Sequence, residues 1–178
     1  MASVELCHTY QLSQAQLDAV HRLLLDSFPL GVTDDDFINA LGGIHAVVWI
    51  EEDELIAHAS VVPRRMLHQG RSLRTGYVEA VAVAAGHRRQ RLGSQVMDAI
   101  EEVIRGGYEL GAMSASSDGR LLYADRAWLP WSGTTSVMSP AGIRRTPEED
   151  DSVQVLPVSV SLDFTADLAC DWRDGDVW

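Results

Sequence analysis

The chain has 178 residues, enough for one domain with a packed core, and its apolar content is that of an ordinary globular protein. Fourteen basic residues against 26 acidic ones leave a net charge of −12, which argues against nucleic acid as a partner and favours cationic ones. No apolar run approaches membrane-spanning length, and the opening Met-Ala-Ser-Val-Glu lacks the basic region of an export signal, so a membrane or secretory role is not expected.

In chain order, residues 4–12 can form an opening strand. Ser13 then starts a helix with Gln16 at the capping-box position, and Leu17, Val20, Leu24 and Phe28 supply its buried face. Pro29-Leu30-Gly31 breaks it. Thr33 caps a short second helix whose first turn holds Asp34, Asp35 and Asp36, where the helix dipole favours them. Gly42-Gly43 ends that helix. Strands are expected over residues 44–50, 55–66 and 73–83, joined by tight turns into an antiparallel meander. A helix with apolar residues at Leu92, Val96, Ile100, Val103 and Ile104 follows. Then come a strand over 110–115, a short helix over 120–127, a strand over 128–138 interrupted at Ser132-Gly133, a polar loop over 140–151, and a final strand over 153–162. Helices on a mixed, mostly antiparallel sheet make an α+β domain spanning residues 1–178.

Cys7 and Cys170 lie far apart and form no metal-ligand spacing, so they read as reduced core thiols of a cytoplasmic protein. His45, His58 and His68 share no ligand spacing either, so no metal site is expected. Acidic residues cluster at 34–36, 148–151 and 171–176, while arginines concentrate at 64–74, 88–91 and 144–145. That division suits a phosphate-bearing molecule on one patch and a cationic one on the others.

The most informative stretch runs from Gly76 to Ile104. A β-branched strand, Val78-Glu79-Ala80-Val81-Ala82-Val83, leads into a basic, glycine-containing loop, and the loop opens the amphipathic helix. The first turn of such a helix leaves backbone N–H groups without partners, and with the dipole they make a site for anions, phosphate above all. The loop has no lysine and is not a nucleoside-triphosphate loop; nor is it the dinucleotide fingerprint. Arg88-Arg89-Gln90-Arg91-Leu92-Gly93 resembles the pyrophosphate loop of the GNAT acetyl-CoA-dependent N-acetyltransferases, with Arg91 replacing the usual first glycine.

The wider chain resembles one branch of that superfamily, the aminoglycoside 2′-N-acetyltransferases. The resemblance is carried by Leu41-Gly42-Gly43-Ile44-His45-Ala46, Gly76-Tyr77-Val78-Glu79-Ala80, Tyr108-Glu109-Leu110-Gly111, Leu122-Tyr123-Ala124, Trp128-Leu129-Pro130-Trp131 and Cys170-Asp171-Trp172-Arg173-Asp174-Gly175-Asp176-Val177-Trp178. It implies the GNAT fold, acetyl-CoA as cosubstrate without a metal, a small aminoglycoside as acceptor, a homodimer, and antibiotic resistance as the outcome.

The site residues that the resemblance implies are as follows. Backbone groups of Val81, Ala82 and Val83 line the pantetheine arm, and those of Arg88, Arg89, Gln90, Arg91, Leu92 and Gly93 hold the pyrophosphate. Glu79 acts as base, through water, with the Trp178 carboxylate as a second anion. Tyr123 is the acid for the departing thiolate. Asp36, Glu79, Ala80, Ser114, Glu148, Glu149, Asp176 and Trp178 face the antibiotic. One position departs: the family carries Gly-Asp-Phe before the second helix, and this chain has Leu30-Gly31-Val32. The lost acid points away from bulky deoxystreptamine drugs and toward kasugamycin.

The residues themselves leave alternatives open. On strand alternation Tyr77, Glu79, Val81 and Val83 share one face and Val78, Ala80 and Ala82 the other, so Glu79 is either a desolvated base or an edge glutamate paired with an arginine. Tyr123 is either an acid or a core tyrosine. Trp128 and Trp131 read as core or interface. Other functions consistent with the chain are acetylation of another polycationic amine, or a catalytically silent module that binds acyl-CoA or antibiotic.

Overall fold

The structure is a computed structural model and describes residues 3–28, 31–51, 54–115, 123 and 126–178. The described residues fall into two compact units, one made of residues 1–62 and 78–103 and the other of 63–77 and 104–178.

The first unit opens with strand β1 (Glu5–His8), shorter than expected because residues Thr9–Gln11 turn as a 3-10 helix. Helix α1 (Gln14–Ser27) is capped by Ser13, with the reciprocal bond from Gln16 in place. Its buried face is Ala19, Val20, Leu23 and Leu24, which includes the predicted Val20 and Leu24; Leu17 is half-buried, and Phe28 is exposed because the helix has ended at Ser27. Helix α2 (Asp34–Asn39) is capped by Thr33. Strands β2 (Ile44–Trp49) and β3 (Leu55–His68) pair antiparallel, β1 pairs antiparallel with β2, and β4 (Arg71–Val83) neighbours β3. Helix α3 (Leu92–Gly107) buries Val96 and Ile100 completely, as the apolar spacing predicts, and Met97 with them. Cys7, Val20, Leu24, Val47, Leu55 and Ala82 form the core under α1.

Gly43 sits against the backbone of β3, where an added Cβ would overlap the Val61 carbonyl oxygen. Backbone cannot swing aside as a side chain can, so Gly43→Ala is expected to destabilise by about 3–5 kcal/mol. A urea midpoint equal to that of the unaltered protein would show that the β2–β3 approach is looser than it looks.

The second unit uses the other halves of β3 and β4. Strand β5 (Leu110–Ser114) runs parallel to β4, and β9 (Val153–Pro157) antiparallel to β5, with short β6 (Leu129–Pro130) beyond it. On the other side β10 (Leu168–Asp171) pairs antiparallel with β3 and parallel with β7 (Thr135–Ser139), and β7 pairs with β8 (Gly142–Arg145). Three expectations need correction. The polar stretch after Pro140 holds strand β8, all four residues of which are exposed and so show no hydrophobic alternation. The strand after Val153 stops at Pro157, and the last strand is β10. Its Leu168, Ala169 and Cys170 are all buried, so it too lacks the alternation that marks a one-sided strand. The helix expected over residues 120–127 lies largely outside the described residues.

Trp128 and Trp131 are buried. Cys7 and Cys170 are free and buried. Among the described residues no helix is long and apolar enough to cross a membrane, and no cluster of histidine, cysteine and carboxylates could hold a metal ion.

Candidate active site

The first unit carries Glu79 through Gly93. β4 does not alternate strictly as its sequence suggests, because Ala80 takes a left-handed backbone, φ 56°. A residue with a side chain adopts that conformation only where its surroundings hold it. Glu79 and Ala80 are half-buried. The Glu79 carbonyl lies 3.5 Å from the Ser60 hydroxyl and the Ala80 carbonyl 2.8 Å from His58 Nδ1, so side chains of β3 serve the interrupted ladder. Ala82 is buried in the core, leaving Val81 and Val83 half-exposed. The Val83 carbonyl accepts from Arg88 Nε at 3.2 Å, which the sequence did not suggest.

The loop after β4 turns through a 3-10 helix over Ala85–His87 and then places Arg89 (φ 61°) and Arg91 (φ 64°) in the left-handed region, with Gln90 between them at negative φ. The loop leads directly into α3, whose first turn and dipole favour an anion there. Arg88, Arg89, Gln90 and Arg91 are exposed and Leu92 is buried as the first residue of the helix. The residues present therefore fit a pyrophosphate.

Asp36 is less available than the sequence implied. Its Oδ2 accepts from the Thr33 N–H at 2.7 Å and the Thr33 hydroxyl at 2.9 Å, which closes the cap of α2. Gly31 is exposed and Leu30 lies outside the described residues. Val32 packs against the core under α1.

The second unit brings Ser114 and Glu149 together. Glu149 Oε2 accepts from Ser114 Oγ at 2.8 Å and from Ser152 Oγ at 2.6 Å. Ser152 was not read from the sequence: a serine in an acidic loop carries no mark of its partner. Glu148 is exposed. Tyr123 is buried, its ring tilted at 6.3 Å from that of Trp128, and burial pushes its phenol up to about 12. Such a group stays protonated throughout the working range of an enzyme.

The C-terminal residues are tied down rather than frayed. Trp178 is 3% exposed, and its indole N–H donates to Thr146 Oγ1 at 2.9 Å. Its backbone N–H donates to Asp176 Oδ1 at 3.1 Å and its carbonyl accepts from Arg173 at 2.9 Å. Arg64, whose side chain is 5% exposed, donates to the Asp171 carboxylate at 2.7 Å and to the Asp171 and Val177 carbonyls. Arg64 and Arg173 both lie over the Tyr77 ring, at 4.7 and 5.4 Å, and the Tyr77 hydroxyl accepts from the Ser114 N–H at 2.9 Å. This support was also missed. The only sign of it in the sequence is an arginine within a largely apolar strand, a position that demands a partner when buried.

An acetyltransferase (GNAT) domain model matches residues 9–123, well over half of the chain. An aminoglycoside 2′-N-acetyltransferase from Mycolicibacterium fortuitum is 49% identical over 99% of this chain and 92% of its own length. The chain belongs to the aminoglycoside 2′-N-acetyltransferase family. As a member of that GNAT branch it is an acetyl-CoA-dependent N-acetyltransferase, and the sheet and helices described above are the GNAT fold. A GNAT family N-acetyltransferase from Escherichia coli in complex with CoA shares the fold at a TM-score of 0.66, with 16% identity, 97% of this chain covered and 90% of that one. A GCN5-related N-acetyltransferase from Kribbella flavida matches at 0.59 with 22% identity over 75% of this chain, which spans only 34% of that longer protein.

Proposed function

We propose that this member of the family moves an acetyl group from acetyl-CoA to an amino group of an aminoglycoside, and that kasugamycin is a better acceptor than the bulkier deoxystreptamine drugs. The observation that carries the acceptor class is the near-full-length likeness to the M. fortuitum relative. The preference within the class rests on the supply of carboxylates. Each desolvated ammonium of a drug must be paired. The position where the family carries an acid is occupied here by Leu30-Gly31-Val32, and Val32 packs into the core. Asp36 spends one oxygen on a helix cap, and one oxygen of Glu149 already takes two hydroxyls. A smaller acceptor with fewer ammonium groups loses least.

In this reading Arg88–Gly93 hold the pyrophosphate by backbone N–H groups, and Val81–Val83 line the pantetheine arm. The acceptor ammonium gives a proton to Glu79, through water. Its nitrogen then bonds to the thioester carbonyl carbon as the carbon–sulfur bond breaks. The thiolate takes a proton from Tyr123, and the second proton of the new amide nitrogen leaves through water and restores the phenol. Ser114, Glu148, Glu149, Asp176 and Trp178 serve the acceptor side. The two units work as one acetyltransferase domain, as a homodimer and without a metal. The cell interior is the compartment that suits two free, buried cysteines.

Steady-state thiol release with kasugamycin, gentamicin and tobramycin tests the substrate choice. One missing charged contact should favour kasugamycin by about ten- to a hundredfold in kcat/KM. Equal or higher values for gentamicin and tobramycin would reverse the preference and leave the acetyltransferase intact. No thiol release with any of the three would move the acceptor to another polycationic amine.

A further inference from the structure

Thr9, His45, His58 and Ala80 form one continuous chain of hydrogen bonds. Thr9 Oγ1 lies 2.7 Å from His45 Nε2, His45 Nδ1 lies 2.9 Å from His58 Nε2, and His58 Nδ1 lies 2.8 Å from the Ala80 carbonyl oxygen. Both histidines are 0% exposed. Their meeting follows from sheet register: His45 stands opposite Ser60 and His58 opposite Val47, which makes the two rings diagonal neighbours on β2 and β3.

The position of every proton follows from the ends of the chain. A carbonyl oxygen only accepts, so His58 Nδ1 carries the hydrogen. In a neutral ring Nε2 is then bare and accepts from His45 Nδ1–H. His45 Nε2 is bare in turn and accepts the Thr9 hydroxyl. The Thr9 oxygen accepts from the Gly42 N–H at 2.8 Å, and the Gly43 carbonyl, 3.3 Å from Thr9 Oγ1, is a second, longer acceptor for its hydroxyl. Burial supports the neutral forms, lowering His45 to about 3, with His58 and His8 adding to the effect, and His58 to about 4. The other neutral tautomer of His58 breaks the chain at both of its bonds, and that of His45 breaks the bond between the two rings.

The chain ends at the one residue of β4 with a left-handed backbone. His58 anchors the peptide plane after Ala80, and Ser60 stands beside the plane before it. We propose that His58 is a positioning residue for acetyl transfer: its bond to Ala80, with the tautomer set by His45 and Thr9, holds Ala80 left-handed and thereby aims the adjoining Glu79. The proposal rests on the reading of Glu79 as the base.

Two substitutions at His58 separate this role from a merely structural one. Asparagine puts an amide N–H where Nδ1 stood, so His58→Asn keeps the bond to Ala80 and gives up His45. Glutamine puts an acceptor where Nε2 stood, so His58→Gln keeps His45 and releases Ala80. His58→Gln should lower kcat by about ten- to a hundredfold with the KM for acetyl-CoA unchanged, whereas His58→Asn should stay within about threefold of the unaltered enzyme. Loss of kcat in both variants in proportion to their loss of Tm, or full kcat in His58→Gln, overturns the proposal. A silent Glu79→Gln overturns the base assignment; an impaired Glu79→Gln beside a silent His58→Gln overturns the positioning role alone. Imidazole nitrogen NMR of the unaltered protein needs no variant to fold. It should show His45 and His58 both neutral and protonated at Nδ1, and an Nε2–H signal from either ring breaks the relay.

Discussion

Replacing Tyr123 by phenylalanine is expected to lower kcat by about a hundred- to a thousandfold while leaving the KM for acetyl-CoA within about twofold. The substitution removes one hydroxyl and keeps the ring that packs beside Trp128, so folding should be little affected. Burial holds the phenol at about 12, with Arg126 opposing the rise. A phenol that weakly acidic does not lose its proton to bulk water in the working range. It delivers the proton to a sulfur only as negative charge develops there, which places its effect on turnover rather than on binding. For the same reason the unaltered enzyme should show no alkaline fall in kcat from this group below about pH 11. Stopped-time thiol release with saturating acetyl-CoA measures both. A Tyr123→Phe enzyme within threefold of normal kcat would leave Tyr123 as a core residue and move the acid elsewhere.

The second large effect is on stability. The folded protein should lose stability steadily as pH falls from about 6.5 to about 4, with a slope of up to about 3 kcal/mol per pH unit, two protons' worth. The cause is the buried pair. His45 falls to about 3 and His58 to about 4, from an ordinary 6.5, chiefly because burial disfavours the charged ring. Between those values and 6.5 the unfolded chain binds two protons that the folded one refuses, so acid favours unfolding. At pH 4.5 this amounts to about 5 kcal/mol, a large part of what a domain of this size has to lose. Two other effects are smaller in this window. The surface charge of −12 is relieved only when carboxylates titrate, and most do so below it. Asp150 is lowered to about 2, first by its bond to Arg145 and then by its bonds to Thr135, so its contribution is lost only as pH falls from 3.8 toward 2. Urea unfolding at intervals from pH 8 to pH 4.5 measures the slope. A midpoint that does not move over that range would mean that the rings accept protons in place.

How much was legible in the residues depended on distance along the chain. Both helix caps could be read because Ser13 and Gln16, or Thr33 and Asp36, are three positions apart and complete their bonds without help. The run from strand through basic loop to α3 was legible for the same reason. The left-handed Arg89 and Arg91 were not, since no glycine marks them. Strands β8 and β10 were missed because one is wholly exposed and the other buried from Leu168 to Cys170, and neither alternates. The family could be named from short motifs, since they record a shared ancestry rather than a physical pattern.

By itself the sequence determined the α+β class, the basic loop at the start of α3, the acidic character and the kinship. Those properties depend on composition or on residues within one or two turns of each other. Only the tertiary structure decided which polar side chains meet. Arg64 and Asp171 are 107 positions apart, Ser114 and Glu149 are 35 apart, and Thr9 reaches His45 across 36. It also decided that two histidines with no common spacing share a proton chain, and that Asp36 closes a helix as well as facing outward. The reason is that a buried polar group must find a partner wherever the fold offers one, and the sheet register that makes the offer is written in no single stretch of the chain.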